Sequence, residues 1–329
     1  MDSLVKLLLD KGFNVSPVFN TENYIRFDRT KSQSGYFKGW EVIDKHGQVL
    51  LCKAHFGDHV TKEEHHWTGG KDTSNMTPEE LQEVNATIEA AAREHKEKKL
   101  ERQLQAAIKA VSMWAGATRE GADKHPYIVR KQISPGQDGK VFGDKFVVPV
   151  WDGGTNGPVS LQLILPEKPE KGTDKSFLSG GRVTGCWSWW LPLGCDSIFH
   201  DYTLYIAEGY ATAASVGMAL NRPVMVAFNT GNLVKLCQNL PLSWKSVTIC
   251  ADNDGATKGN PGMAAAHEAR AALVAAGIEC RIVAPHAPEG VSVDWNDFHV
   301  ANGLEATRKA LLGEEVKEEK VIQPYRPAC

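Results

Sequence analysis

From Thr203 onward the chain alternates short apolar runs with helix-length segments, and this alternation constrains the fold more than anything else in the sequence. The runs are TLYIAE (203–208), PVMVAF (223–228), SVTICAD (246–252) and ECRIVAP (279–285). Helices are expected over 210–220, 231–239, 261–276 and 303–312. The third helix is framed by Asn260 as N-cap, Pro261 at its first position and Gly277 just past its end. Strands that are apolar on both faces belong in a parallel sheet with helices packed on either side.

The sequence before Thr203 has a different texture. MDSLVKLLLDKGF reads as a short amphipathic helix, because Asp2 and Asp10 bracket the leucines and no small-residue cleavage site follows. NYIRFDR and GWEVIDKHGQVLLCKAHF alternate or hold β-branched runs, with a hairpin turn at Lys45–Gly47. Thr77, Pro78 and Glu80 then form a capping-box signature. Leu81, Val84, Ile88, Leu100, Leu104, Ile108 and Val111 continue it at helical spacing to about residue 114. The other faces of this helix are charged, so it is expected to bridge rather than to build a core. KFVVPVWD, GPVSLQLIL and SFLSGG return to strands. The expected organisation is a small β-rich domain (1–72), a long bridging helix (73–118), a basic α+β subdomain (119–200), an α/β domain (201–313) and a charged tail (314–329).

Composition narrows the function classes. The net charge of −3 gives the whole chain no basic signature for nucleic acid. Residues 201–300 hold six Lys or Arg against nine Asp or Glu, while residues 121–200 hold nine against eight. The acidity is therefore concentrated where the alternation runs, and clustered carboxylates either face solvent or bind cations. No apolar run approaches the roughly 20 residues that span a bilayer, so no membrane association is expected. Seven cysteines without a C-x-x-C fit reduced thiols in a cytoplasmic setting.

In an open parallel sheet, ligands gather at the carboxyl ends of the strands. The first run ends at Glu208, the third gives Asp252 and Asp254, and the fourth leads into GVSVDWNDFH with Asp294 and Asp297. Asp252 and Asp254 are two apart and point the same way in extended chain. Carboxylates gathered so closely repel unless a divalent cation lies between them, and hard oxygen donors suit Mg2+ or Mn2+. Each acid also has a plainer reading. D-x-D is common in turns, Glu208 can sit at a helix N-terminus, and Asp294 and Asp297 can cap a helix or make Asx-turns. The ordered series on successive strand ends is what favours a metal site.

Glu-Gly after one strand and Asp-x-Asp-Gly after a later one resemble the Toprim pattern, shared by topoisomerases, bacterial-type primases and some nucleases. HPYIVRKQI, FVVPVWD, LQLILPE, SFLSGGRVTGC, EGYATAAS, VAFNTGNL and DWNDF look like the catalytic core of primases from phages and other mobile elements. FGDHVTKEEHHW resembles the small N-terminal segment of that group. The resemblance spans about residues 20–300. It implies a Rossmann-like Toprim sheet of about four parallel strands, preceded by a primase-type α+β subdomain. It implies that Glu208, Asp252 and Asp254 are catalytic metal-binding carboxylates supported by Asp294 and Asp297. Lys175 and Arg182 would face template and nucleotide. The implied activity is synthesis of short primers on single-stranded DNA from nucleoside triphosphates, with Mg2+ or Mn2+. Two other readings stay open: a Toprim metal-dependent nuclease, and a non-catalytic single-stranded-DNA-binding accessory protein.

This sequence departs from the group in having no C-x-x-C zinc ribbon and no G-x-x-x-x-G-K-[ST] motif. GGKDTS at Lys71 lacks the first glycine and the hydroxyl after the lysine, so unwinding would need a separate replicative helicase. Arg130, Lys131, Lys145, Lys175 and Arg182 are the expected phosphate contacts of the middle subdomain. Lys258, before Gly259 and Gly262, could hold a nucleotide phosphate at a helix N-terminus or simply be solvated. Gly209 would let the backbone turn close beside the metal, and Gly255 completes the nucleotide-binding set. Cys52, His55, His59, His65 and His66 could form a zinc site, although their spacing fits no standard finger, or could be a surface histidine cluster. GCWSWW could stack bases or pack a domain interface.

Overall fold

The computed structural model describes residues 2–21, 24–30, 33–44, 46–58, 60–61, 63–71, 76–170, 172–195, 203–240 and 243–314. Lys45, His59, the Glu80 side chain of the capping box and residues 315–329 of the tail lie outside the described residues. The chain divides into two compact units, Met1–Leu100 and Glu101–Cys329.

In the first unit, α1 (Asp2–Asp10) buries Leu4 and Leu8. A four-stranded antiparallel sheet follows in the order β1 (Ile25–Phe27), β2 (Gly35–Ile43), β3 (Val49–Asp58) and β4 (Glu63–Gly70). Leu4, Leu8 and Phe13 pack with Phe37, Ala54 and Phe56 from one face of that sheet. Asp58 is buried and anchors the far end of β3. It accepts from the backbone amides of Thr30, Val60 and Thr61 and from the hydroxyls of Thr30 and Ser34. These donors hold its carboxyl well below the usual range, against the opposing effect of burial.

The long helix α2 (Pro78–Gly116) carries the chain across the boundary between the units. Val84 packs with Val42 and Leu50 in the first unit, and Ala110 with Leu161 and Leu178 in the second. Leu81, Leu100, Leu104, Ile108 and Val111 remain exposed, so much of the apolar stripe that marks the helix in the sequence does not enter a core.

After α2 the second unit continues through a 3-10 turn, Ala122–Lys124, into α3 (Pro126–Lys131), which was not foreseen. Its signals are His125 as N-cap, whose ring accepts from the Tyr127 amide, and Pro126 at the first position. An antiparallel sheet runs in order through β5 (Lys140–Phe142), β6 (Lys145–Val150), β7 (Ser160–Ile164) and β8 (Lys175–Phe177).

The main sheet takes β9 (Ser188–Trp190), β10 (Leu204–Ala207), β11 (Val224–Val226), β12 (Ser246–Cys250) and β14 (Glu279–Val283), in the spatial order β14-β12-β10-β11-β9. The four strands expected from the alternation are mutually parallel, and β9 adds an antiparallel edge. That edge strand is drawn from GCWSWW. Trp190 is buried and its indole N–H donates to Ser134 O, so this tryptophan packs rather than stacks on bases. Connecting the strands are α4 (Tyr210–Leu220), α5 (Thr230–Gln238) and α6 (Pro261–Ala275). β13 (Asn253–Asp254) and β15 (Ser292–Val293) make a small pair at the carboxyl edge, followed by α7 (Trp295–Asn302) and α8 (Leu304–Leu312). Alternate strand residues divide between two cores. Ala207, Val224, Val226 and Cys250 pack with α4, α7 and α8, while Leu204, Ile206, Val247 and Ile249 pack with α5 and α6. Helices thus cover both faces, which is why these strands show no polar alternation.

Candidate active site

Glu208 follows β10 directly, where its carbonyl accepts from the Phe228 amide at 2.7 Å and ties the strand end to β11. The next residue, Gly209, is the N-cap of α4 with φ −98° and ψ 155°. Any residue can adopt that conformation, so a tight turn is not what requires glycine here. A Cβ at this position would meet nothing nearer than Thr212 Oγ1 at 3.7 Å, so the missing side chain leaves open space beside Glu208.

The Asp252–Asp254 loop is held by amides and amide side chains. Gly262, at the start of α6, donates its N–H to Asp254 Oδ2 at 2.9 Å, and Asn260 Oδ1 accepts from the Asp254 amide at 2.8 Å. The helix N-terminus that was a candidate phosphate turn therefore already carries a carboxylate. Gly262 and Gly255 are required sterically. A Cβ at Gly262 would lie 2.4 Å from Asp252 O, and one at Gly255 would lie 2.6 Å from Val291 O. Lys258 sits exposed in the loop between them.

The DWNDF segment forms the start of α7, an element that the sequence reading did not resolve. Asp294 and Asp297 make a reciprocal capping box, with the Asp294 side chain accepting from the Asp297 amide at 2.7 Å. Trp295 and Phe298 enter the core. Asn296 is buried and donates to the Lys131 carbonyl at 2.7 Å and to Ser215 Oγ at 3.0 Å. Lys131 Nζ lies 3.9 Å from Asp297. One short segment thus caps its helix, fills the core and fixes the position of a cation.

These elements surround a cavity of about 260 Å3 whose lining includes Glu208, Asp252, Asp294, Lys131, Lys175 and Thr212. Burial pushes the Glu208 carboxyl up to about 7, and Asp254 and Asp294 add to the rise while Lys175 opposes it. Burial also raises Asp252 well above the carboxylate range, reinforced by Asp294, Glu208 and Asp254. Thr212 Oγ1, 3.4 Å from Asp252 Oδ1, partly offsets this. Asp297 is raised by burial and by Asp294. Lys175 is lowered by burial and by Lys131, against the pull of Asp174, Asp294 and Asp252. Carboxyls that hold protons at such values are short of positive charge. Of the five predicted acids, Glu208, Asp252 and Asp294 line the cavity and Asp254 and Asp297 do not; an all-oxygen set of this kind suits a hard divalent cation. No three of these acids bring one ligand atom each within 4.8 Å of one another.

The other basic candidates have partners. Arg130 pairs with Asp174 at 3.0 Å and donates to Pro166 O. Arg182 is engaged by Asp152, and Lys145 by its neighbour Asp144. None of the three lines the cavity, whereas Lys131 and Lys175 do. Thr212, Gln162 and Phe228 line it as well and were not foreseen, since nothing in their local sequence marks them.

Residues 203–305 match the family described as Toprim domain. This segment is a Toprim domain. Glu208, Asp252, Asp254, Asp294 and Asp297 all lie within the matched span. The chain is also 31% identical over 199 residues to a DNA primase TraC of Escherichia coli, across 58% of this chain and 18% of that protein. A second DNA primase TraC of Escherichia coli matches at 33% over 115 residues, covering 34% of this chain and 7% of the relative. The chain thus spans less than a fifth of the length of these curated relatives. Among solved structures, it aligns with the Aquifex aeolicus primase zinc-binding and RNA polymerase domains at TM-score 0.41 and 16% identity, over 94% of this chain and 83% of that one. It aligns with a DnaG primase catalytic domain bound to ssDNA at TM-score 0.36 and 14% identity, over 66% and 73%.

Proposed function

We propose that this chain is a DNA primase that joins nucleoside triphosphates on a single-stranded DNA template at the carboxyl edge of its Toprim sheet. The observation that carries the proposal is the cavity in which Glu208, Asp252 and Asp294, from separate strand ends, meet Lys131 and Lys175. Similarity to the TraC primases, which extends beyond the Toprim segment, supports it.

In this reading Glu208, Asp252 and Asp254 hold Mg2+ or Mn2+, with Asp294 beside them and Asp297 supporting through the capping box. The bound ion would orient the triphosphate and lower the pKa of the attacking 3′-hydroxyl. Lys131 and Lys175 neutralise triphosphate oxygens at the cavity. With no ion bound, burial raises the Glu208 carboxyl to about 7, so the ion would displace a proton from it on binding. The amide of Gly262 keeps Asp254 in place. Arg130, Lys145 and Arg182 belong to the outer template path if their ion pairs open, and Lys258 to the loop that flanks the site. A separate replicative helicase would supply the template.

The test is incorporation of labelled ribo- and deoxyribonucleotides, each tested alone, on single-stranded DNA with Mg2+ and with Mn2+. Template-dependent oligonucleotides are expected. Metal-dependent cutting of the DNA without incorporation would replace the proposal with hydrolysis at the same acids.

A further inference from the structure

A second group of donors lies on the N-terminal sheet and takes no part in the chemistry above. His55 on β3 pairs directly with His66 on β4. Glu64 is two residues before His66, so the pleat puts both on one face. Glu64 Oε1 stands 2.7 Å from His55 Nε2 and 3.3 Å from His66 Nε2. The imidazoles lie nearly parallel, with centroids 4.5 Å apart. One ligand atom from each of the three residues lies within 4.8 Å of the others, a condition that no other group of described His, Cys, Asp and Glu meets. The set differs from the one suggested by sequence. Cys52 points to the core face with Ala54 and Phe56, and His65 stacks on Phe56 on that same face.

We propose that His55, Glu64 and His66 bind a divalent transition-metal ion of the Zn2+ class. Two imidazole nitrogens and one carboxylate oxygen form a donor set that Zn2+ favours and that Mg2+ and Ca2+ do not. The Tyr24 hydroxyl lies 2.8 Å from His55 Nδ1. When Nδ1–H donates to that hydroxyl, Nε2 keeps its lone pair for the ion, the usual outer support of a metal-bound histidine. The His66 side chain is 71% exposed, so its ring can turn onto the ion without disturbing the sheet. His55 and His66 also line a groove of about 630 Å3 beside Lys38 and Lys53. Three protein ligands leave a fourth position open for water or an anionic group from that groove.

The test is titration of the chelator-stripped full chain with Zn2+ in excess Mg2+, followed by Co2+ as a visible probe. One Zn2+ per chain is expected. His66→Ala and Glu64→Gln should each bind at least roughly 10-fold more weakly and lose the Co2+ absorption, while Asp252→Asn binds as wild type does. Tyr24→Phe should weaken binding by about 10-fold at unchanged circular dichroism. Absence of saturable Zn2+ binding, or equal binding by the wild type, His66→Ala and Glu64→Gln, overturns the proposal.

Discussion

Asp252 lies against three other carboxylates with little to neutralise it beyond Lys175 and Lys131, so without metal it is a liability to the fold. Asp252→Asn is therefore expected to raise stability in chelator by roughly 1 kcal/mol, read by urea unfolding, while it lowers metal-dependent turnover. A loss of stability in chelator would mean that the carboxylate is paired in a way the geometry does not contain. Glu208 makes a related statement about pH. Its carboxyl is raised from 4.5 to about 7, so between those values the metal-free folded state binds the extra proton and the unfolded state does not. Stability of the metal-free protein should thus fall as pH rises from about 5 to about 7. Glu208→Gln should flatten that slope. Metal binding at pH 6 should release a proton from this group and at pH 8.5 should not, which calorimetry in buffers of different ionisation enthalpy can read.

The elements that carry the site are fixed by a few buried polar side chains. Asn229 caps α5, accepting from the Asn232 amide at 2.9 Å. Asn232 is buried with its amide group fully used. It donates to Cys186 O and Ala227 O and accepts from the Gly185 amide at 2.7 Å. It therefore ties the turn before β9 to the end of β11 and to α5. Asn232→Leu strands three backbone groups and is expected to cost roughly 3 kcal/mol, with the greatest loss of hydrogen-exchange protection at β9 and β11. The sequence made some of this visible. The apolar strands, the Asn260-Pro261 start of α6 and the acids at the strand ends were legible because each rests on local chemistry. α7 was missed although Asp294 and Asp297 have capping-box spacing, because the same acids read equally well as ligands. The engagement of Arg182 by Asp152 and the pairing of Arg130 with Asp174 were invisible, since they join residues 30 and 44 positions apart. So was Glu64, an ordinary acid until strand register puts it between two histidines.

At the scale of the molecule, a parallel sheet covered on both faces leaves its carboxyl edge as the place where charged groups can gather, and the chain puts its acids there. The antiparallel sheet of the same unit contributes Lys175 and Gln162 to that edge, and α3 contributes Lys131, so the cavity draws on more than the Toprim segment. No described helix is long and apolar enough to cross a membrane. The proposed centre of nucleotidyl transfer is one metal-requiring set of these carboxylates. The most direct measurement compares the rate of template-directed product formation by the wild type, Glu208→Gln and Asp252→Asn across a Mg2+ and Mn2+ titration, with folding checked by circular dichroism. Synthesis by the wild type and a fall of roughly 100-fold or more in each folded variant at every metal concentration are expected. Synthesis by either variant at the wild-type rate would contradict the proposal.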